Sequence, residues 1–502
     1  MNADRLYAPT QEFMAGIETV ARQFDSATYP QQALPSDDLA ILVKSGVLLP
    51  SLPREYGGRD SHVEMCRVIE TVSEWSIPLG VYLTVITCLG LRPIVMFGTE
   101  EAKREVLPAF AGSDPMAAGF AATEPDAGSA LASITTEFEK VDGGYHISGR
   151  KHWQALSMSA HWWVVLARVA DQGRREYGLF VVKRSEGFRT IQPYQPLGLK
   201  IVDYGLNEVD AYIPEYRRLQ VRGDSLQPAA EVLMSTRAFM AAMASGFLRR
   251  LSREAHHYAD NRPMGNRPLS AVRFARYRLK EIDASATIAA ALNYYLQTNL
   301  DIRSEMFGSL PAVHAIKTVA TERMLSSALH YQQLAGGEGY RYGSPTNIAG
   351  QAALDARVFP IFDGNNDLLS QQLAKHCLRE CRGGRLSDFL ATWPLTAPAI
   401  SAHHINLAFL DRKLAQEYLV LAGRAIAYIF AITQVMNWAY QTGADAATVH
   451  APIQFLKADI IQVASEFTLL DTGILEDLHP PRERSFMERA AARFRLEPGS
   501  PW

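Results

Sequence analysis

The stretch Arg-Val-Phe-Pro-Ile-Phe-Asp-Gly-Asn-Asn-Asp-Leu-Leu, residues 357–369, carries most of the information about the fold of this chain. In it an apolar run ends at Asp363-Gly364, a residue pair that is typical of a tight turn. Taken alone, the stretch predicts only a turn aspartate. Its further meaning depends on the segments that precede it.

The composition is that of a globular protein long enough for two to four domains. The chain has 502 residues, of which 48% are hydrophobic and 21% charged, with a net charge of −3. These values exclude a disordered chain and give no electrostatic indication of a nucleic-acid partner. The four cysteines are too few for a disulfide scaffold, and no further ligands complete a zinc site around Cys377 and Cys381. We therefore expect no bound metal and no nucleic acid.

Two features bear on the location of the chain. The N-terminus lacks a positively charged segment followed by an apolar run, so we expect no signal peptide. The most apolar window, 418–440, contains Arg424, after which about 16 residues remain, including Gln434 and Asn437. That length is short of the ~20 residues that a membrane span needs. We therefore expect a buried helix, no transmembrane span and a cytoplasmic protein.

The hydrophobic pattern changes twice along the chain. Apolar positions three and four apart predict helices in the first part, and short β-branched or aromatic runs between glycine-containing turns predict strands in the second. Helical periodicity returns at about residue 230 and continues to the C-terminus. We expect four units, namely a helical one at 1–115, a β domain at 116–225, and helical ones at 226–382 and 383–502.

A set of segments carries a family pattern when taken in chain order, namely 46–58, 97–103, 107–108, 122–129, 144–153, 160–168, 333–340 and 355–369. Through these segments the chain resembles the acyl-CoA dehydrogenase family over about residues 10–380. The resemblance implies an α+β, mainly α, fold with an N-terminal helical domain, a middle β-barrel and a C-terminal four-helix bundle. The helical segment after the bundle is similar in kind to the extra domain of very-long-chain acyl-CoA dehydrogenases and acyl-CoA oxidases.

The resemblance implies FAD-dependent α,β-dehydrogenation of an acyl thioester, with Asp363 where the family usually has a glutamate base. That base removes the α proton while a hydride leaves the β carbon for flavin N5. Burial must raise the pKa of the aspartate from its ordinary ~3.9. The shorter side chain retracts the carboxylate, and a displacement of about an angstrom costs on the order of a hundredfold in rate. Thr236 occupies the alternative base position of the family, directly before Arg237, so Asp363 is the one candidate base.

The expected cofactor and substrate contacts also follow from motif position. No Gly-x-Gly-x-x-Gly follows a strand, so we do not expect a flavin on a dinucleotide fold. The resemblance implies that FAD is held between the β domain and the bundle. The cofactor contacts implied within one subunit are Phe120, Thr123, Gly128, Ser129, Trp153, Ala155, Asn365 and Asp367. Those implied from a neighbouring subunit are Arg262, Gln333, Gly336 and Gly337. Arg237, Phe362 and Gly364 are expected beside the substrate.

Several positions depart from the family pattern. Ala155 and Asn365 each stand where the family usually has a threonine, and Ser370 stands where an arginine often follows. These changes surround the expected cofactor and favour an altered substrate or electron acceptor. The alternatives are a flavin oxidase of the acyl-CoA oxidase or nitroalkane oxidase type, or a catalytically divergent flavin-binding scaffold.

The expected partners follow from the same resemblance. The thioester carrier is coenzyme A or an acyl carrier protein. The electron acceptor is an electron-transfer flavoprotein or O2. We expect a homodimer or homotetramer because the implied cofactor site draws residues from two subunits.

Overall fold

A computed structural model describes residues 9–25, 34–171, 176–221 and 226–474. In this part of the chain, helices precede a sheet and further helices follow it. The helices before the sheet are α1 (Thr10–Ala21), α2 (Ser36–Ser45), α3 (His62–Trp75), α4 (Ile77–Phe97) and α5 (Glu100–Ala111). Ser61 and Thr99 cap α3 and α5 by accepting hydrogen bonds from backbone N–H groups of their first turns.

From Ile77 to Leu91 helix α4 is mostly apolar on every side and is buried accordingly. Its middle, Val85–Leu91, is a π-helical turn. Gly90 in that turn lies against β1, where an added Cβ would be 2.5 Å from the Cβ of Ala118. The close approach brings Val85 and its neighbours to the wall of the central cavity.

The middle of the chain forms one curled mixed sheet of seven strands among the described residues. The strands are β1 (Ala118–Ala121), β2 (Glu137–Val141), β3 (Gly144–Ala155), β4 (Trp162–Val169), β5 (Tyr177–Lys183), β6 (Phe188–Pro193) and β7 (Tyr204–Pro214). Strands β1 and β2 run parallel to β4, and the remaining pairs are antiparallel. The register of β3 on β7 shifts between His152 and Gln154, which makes Trp153 the extra residue of a β-bulge.

The sheet is followed by a helical bundle. Its elements are α6 (Gln227–Asn261), the short strands β8 (Pro263–Met264) and β9 (Arg267–Pro268), α7 (Arg273–Asn299), α8 (Leu310–Ala335), α9 (Gly337–Tyr340), α10 (Ala349–Ala356) and α11 (Asn366–Glu380). Helix α6 packs against α3, α7 and α8 and so joins the two helical parts of the fold. The turn that contains Asp363 lies between α10 and α11.

The last described segment lies on the bundle. Its helices are α12 (Leu386–Thr392), α13 (Ala397–His403), α14 (Gln416–Thr442) and α15 (Ala446–Leu470). Helix α14 packs against α7, α8 and α11, and at Gly423 it approaches the backbone carbonyl of Ser370 so closely that an added Cβ would lie 1.9 Å away. The predicted helical character of 383–502 is confirmed as far as residue 474, and the rest lies outside the described residues.

The predicted fold class is confirmed: an N-terminal helical part, a middle sheet and a C-terminal helical part in a mainly α-helical chain. Two helices, Ile77–Phe97 and Gln416–Thr442, are long and apolar enough to cross a membrane. Of their most apolar windows, however, 89% and 78% of the residues are buried within the protein. Both pack as core helices, as expected for the window at 418–440.

Candidate active site

A cavity of about 1100 Å³ lies where the sheet, α4, α6, α8 and the turn at 363–364 meet. Most of its wall is apolar and includes Val85 of α4 and Leu233 of α6. Asp363 is the one carboxylate among the described residues that line it. A single acid in an apolar enclosure is the arrangement that shifts a carboxyl group toward the pKa of a general base.

The backbone at Asp363 and Gly364 is left-handed, with φ of 55° and 89°. Glycine adopts this region without cost, and aspartate is among the few other residues that tolerate it. Two buried cations hold the turn. Arg237 of α6 donates from Nε to the Asp363 carbonyl at 2.7 Å, and Lys317 of α8 donates from Nζ to the Gly364 carbonyl at 3.0 Å.

Burial raises the pKa of the Asp363 carboxyl above its ordinary value. A hydrogen bond from Thr236 and the charges of Arg237 and Lys317 act in the opposite direction and lower it. The net rise is what a base that works near neutral pH requires. Thr236, at the alternative base position of the family, therefore serves here as a hydrogen-bond partner of the carboxylate.

The pKa values of the buried cations in this region are also shifted. Burial lowers the pKa of Arg237 to about 10 and that of Lys317 to about 7. Burial and these two charges also lower the pKa of His314 well below its ordinary value. His314 Nε2 lies 3.3 Å from Nη1 of Arg237, and a neutral imidazole can accept a hydrogen bond from this guanidinium. The guanidinium is thus fixed from α8 as well as from the turn.

Trp153, on the bulge of β3, also lines the cavity. Its φ is 62°, a strained value for a bulky residue, and half of its side chain remains exposed. Tyr194 and Tyr204 support the indole, with ring centroids 4.8 Å and 5.9 Å away. The bulge thus presents a flat aromatic surface to the cavity.

The loop after β1 forms the adjoining wall and contains Thr123, Gly128 and Ser129. A buried ion pair organises this loop. Glu124 accepts from Lys151 Nζ at 2.9 Å and from the backbone N–H groups at 135 and 136 at 2.5 and 2.9 Å. The hydroxyl groups of Thr123 and Ser129 have no hydrogen-bond partner among the described residues and are free to meet a ligand.

The structure brings most of the predicted residues to one cavity and leaves others outside it. Those that line it are Phe120, Thr123, Gly128, Ser129, Trp153, Ala155, Arg237, Phe362, Asp363 and Gly364. Asn365 and Asp367 do not. Asn365 caps α11 by accepting from the N–H of Leu368 at 2.8 Å, and Asp367 pairs with Arg424 of α14 at 2.6 Å.

Four other predicted residues form a second cluster, away from the cavity wall. Arg262 donates from Nη1 to the carbonyl of Leu334 at 2.7 Å. Its guanidinium lies 3.1 Å from the point where a Cβ on Gly336 would be. Gln333 and Gly337 are exposed beside it. The cluster is thus a surface feature of the isolated chain.

Sequence reasoning missed Lys317, Glu124 and Lys151. Each is a charged residue whose burial is evident only from the structure. One signal was available, since Lys317 and His314 lie three apart in the mostly apolar first half of α8, and such positions face the same side. No comparable signal marks Glu124 or Lys151, because residues 27 apart in sequence meet only when the loop after β1 packs against β3.

A cavity with one carboxylate thus lies between a sheet with an aromatic wall and a helical bundle. Its similarity to known proteins identifies the chain as an oxidoreductase of the flavoenzyme class. The chain belongs to the acyl-CoA dehydrogenase family. The family models for the N-terminal, middle and C-terminal domains of acyl-CoA dehydrogenases match residues 8–114, 119–209 and 226–378.

Individual relatives agree with this assignment. The chain is 30% identical over 343 residues to an acyl-CoA dehydrogenase of Bacillus subtilis, covering 67% of this chain and 88% of that protein. It is 26% identical over 369 residues to the very long-chain specific acyl-CoA dehydrogenase of Macaca fascicularis, covering 70% and 55%.

The solved structures show the same fold. The acyl-CoA dehydrogenase of Bacillus anthracis, solved in complex with FAD, has a TM-score of 0.75 at 18% identity and covers 100% of this chain and 94% of that one. The butyryl-CoA dehydrogenase of Megasphaera elsdenii has a TM-score of 0.66 at 19% identity and covers 74% and 98%. The helices after α11 thus have a counterpart in the longer structure.

Proposed function

We propose that this protein is an FAD-dependent dehydrogenase of an acyl thioester in which Asp363 is the base that removes the α proton. The observation that carries the proposal is the position of Asp363, a carboxylate of raised pKa in a mostly apolar cavity. A low-polarity wall favours the neutral product of proton transfer and keeps water from the reacting carbon.

The residues opposite Asp363 fit FAD. Trp153 offers a flat apolar face, and the free hydroxyl groups of Thr123 and Ser129 suit carbonyl and phosphate oxygens. These residues would hold FAD, which would supply the acceptor for the hydride that leaves the β carbon of the substrate. Ala155, Phe120 and Gly128 would lie along the same cofactor.

The protein groups around the thioester have separate roles. Arg237 holds the carbonyl of Asp363 and leaves its charge within the cavity wall, where it favours negative charge on the substrate as the α proton leaves. Gly364 lines the cavity beside Arg237, whose Nη2 would lie 3.1 Å from a Cβ added at this position, and Phe362 contributes to the apolar wall. Asp363 takes the proton and is held in place by the turn.

Residues outside the cavity fit a site shared between subunits. Arg262, Gln333, Gly336 and Gly337 form the exposed cluster described above, and a guanidinium is suited to phosphate. We infer that this cluster binds FAD of a neighbouring subunit in a homodimer or homotetramer. Asn365 and Asp367 would act indirectly, through the start of α11. Coenzyme A or an acyl carrier protein would carry the acyl group, and the enzyme would be cytoplasmic.

Anaerobic titration of the purified FAD-loaded protein with acyl-CoA and acyl-carrier-protein substrates tests the proposal. We expect a thioester to bleach the flavin absorbance in the wild type and in the control variant Asp388→Asn. This control changes an exposed carboxylate of α12. We expect no bleaching in Asp363→Asn, because an amide cannot accept the α proton. Bleaching by the asparagine variant at the wild-type rate would contradict the role of Asp363.

Other outcomes separate the alternatives. Rapid reoxidation of the reduced flavin in air would favour an oxidase, and slow reoxidation would favour an electron-transfer flavoprotein as acceptor. Turnover of nitroalkanes but of no thioester would overturn the thioester assignment. A protein that takes up FAD but is reduced by no substrate would be a flavin-binding scaffold.

A further inference from the structure

Lys317 is an unusual residue for the interior of a helical bundle. Its side chain is fully buried on α8, and among the described residues it forms no ion pair. Burying an ammonium ion without a carboxylate partner is costly, so such a lysine is retained where its hydrogen bonds matter. The bonds of Lys317 are therefore the evidence for what it does.

The Lys317 ammonium bonds to two neighbouring positions around the candidate base. Nζ donates to the Gly364 carbonyl at 3.0 Å and to Oδ1 of Asn366 at 2.7 Å. Asn366 in turn donates from Nδ2 to Thr321 Oγ1 at 3.0 Å and to Glu322 at 2.7 Å, both on α8. Helix α8 thus holds the residue directly after Asp363 and the first residue of α11.

The backbone conformation that these hydrogen bonds hold is one that the chain does not favour by itself. Asp363 and Gly364 are both left-handed, and a non-glycine residue there costs on the order of 1 kcal/mol. Arg237 holds the first carbonyl of the pair and Lys317 the second. The direction in which the Asp363 side chain leaves the backbone depends on this conformation.

We propose that Lys317 is a positioning residue for Asp363, whose ammonium fixes the left-handed turn that directs the carboxylate into the cavity. The proposal rests on the proposed function of Asp363 and deepens it. A fixed turn matters more for aspartate than for glutamate, since the shorter side chain has fewer torsions with which to correct a misplaced backbone.

The charge of Lys317 adds a second effect that can be measured. It lowers the pKa of Asp363, against the rise caused by burial. The other charged or titratable groups that face this pair are Arg237, His314, Glu322, Tyr204 and Cys88. Burial lowers the pKa of Lys317 to about 7, so the ammonium form predominates at acidic pH.

Two variants of the FAD-loaded enzyme separate the hydrogen bond from the charge. Lys317→Met removes both, and Lys317→Gln keeps an N–H donor but no charge. With an acyl-CoA substrate, we expect Lys317→Met to slow anaerobic flavin reduction on the order of a hundredfold. We expect Lys317→Gln to stay within about tenfold of the wild type. Both variants lose the positive charge that lowers the pKa of Asp363. In both, the acidic limb of the pH profile of flavin reduction should therefore move to higher pH by about one unit.

The matched control is Val319→Ala, which truncates a buried side chain of α8 that does not line the cavity. We expect it to lower thermal stability and leave the acidic limb unchanged. The proposal is overturned if the Lys317 variants keep the wild-type acidic limb, if Lys317→Met keeps the wild-type rate, or if Val319→Ala shifts the limb equally.

Two further measurements distinguish failure of the positioning role of Lys317 from failure of the proposed function. Asp363→Asn that still reduces flavin would reject Asp363 as the base, whatever the Lys317 variants do. A crystal structure of Lys317→Met reports on the turn without any reaction. We expect Asp363 or Gly364 to leave the left-handed region, and an unchanged turn would reject the positioning role.

Discussion

Arg237 donates from Nε to the backbone carbonyl of Asp363 at 2.7 Å, so the guanidinium holds the chain of the aspartate and not its carboxylate. A direct ion pair would hold the carboxyl pKa low and weaken the aspartate as a base. Bonding to the carbonyl fixes the residue and leaves burial as the dominant influence on its pKa. Hydrogen bonds from Arg237 and Lys317 thus fix the position of the aspartate, while burial has the largest influence on its pKa.

Replacing Arg237 with lysine should slow the enzyme although the charge is kept. Lysine has no Nε–H to reach the Asp363 carbonyl while also contacting His314. Loss of a charge-assisted hydrogen bond of ~1.5–3 kcal/mol predicts a fall in the rate of flavin reduction of roughly ten- to a hundredfold. Stopped-flow reduction measures it. Arg249→Lys, at a half-exposed arginine of the same helix, should keep the wild-type rate.

The Asp363→Asn variant should be more stable than the wild type, and increasingly so at higher pH. Because the pKa of Asp363 is raised on folding, its ionisation costs the native state stability. The cost is absent below the unfolded pKa and is complete once the pH exceeds the folded pKa. We expect the difference in Tm between the variant and the wild type to grow by roughly 1–3 °C as the pH rises from about 4 to about 8. A gap that shrinks with rising pH would contradict the raised pKa.

Trp153→Ala should weaken FAD binding. The indole projects from a β-bulge with half of its surface free, so its truncation removes ligand contact more than core packing. An aromatic contact contributes about 0.5–1.5 kcal/mol beyond its buried area, which predicts a loss of affinity of up to roughly tenfold. Fluorescence titration of apoprotein with FAD measures it. Tyr212→Ala, at an exposed aromatic residue of the same sheet, should bind FAD as the wild type does.

Removing one partner of the Glu124–Lys151 pair should destabilise the protein. Both side chains are buried, and Lys151→Met leaves Glu124 without its compensating charge. A loss of this kind costs about 3–5 kcal/mol. Urea unfolding monitored by circular dichroism measures it. Lys140→Met removes one partner of the exposed pair with Glu215, and its unfolding midpoint should equal that of the wild type.

Gly423→Ala should disrupt the packing of α14 against α11. An added Cβ would lie 1.9 Å from the Ser370 carbonyl, so one of the two helices must move. We expect a lower Tm and faster proteolysis within 383–474. Gly16→Ala is the control, because no atom lies within 4 Å of the added Cβ and alanine favours a helix by about 0.5–1 kcal/mol. Equal stability of the two variants would argue against the tight contact.

The sequence by itself determined the order of the elements and the family. Helical and strand periodicities depend on neighbouring residues, so the helices of the first part and the strands of the second could be predicted locally. The aspartate at 363 and the tryptophan at 153 could be placed near one site because their motifs resemble those of the family. Thr236 could likewise be excluded as a base from its identity alone.

Only the tertiary structure decided how that site is held. Asp363 and Lys317 are 46 positions apart, and Asp363 and Arg237 are 126 apart, so no local pattern reveals that two buried cations hold one turn. The same is true of Asn365, whose side chain caps α11 and does not line the cavity. The sequence shows which residue carries the carboxylate. Burial, backbone conformation and long-range hydrogen bonds set its pKa and its direction, and these exist only once the helices have packed.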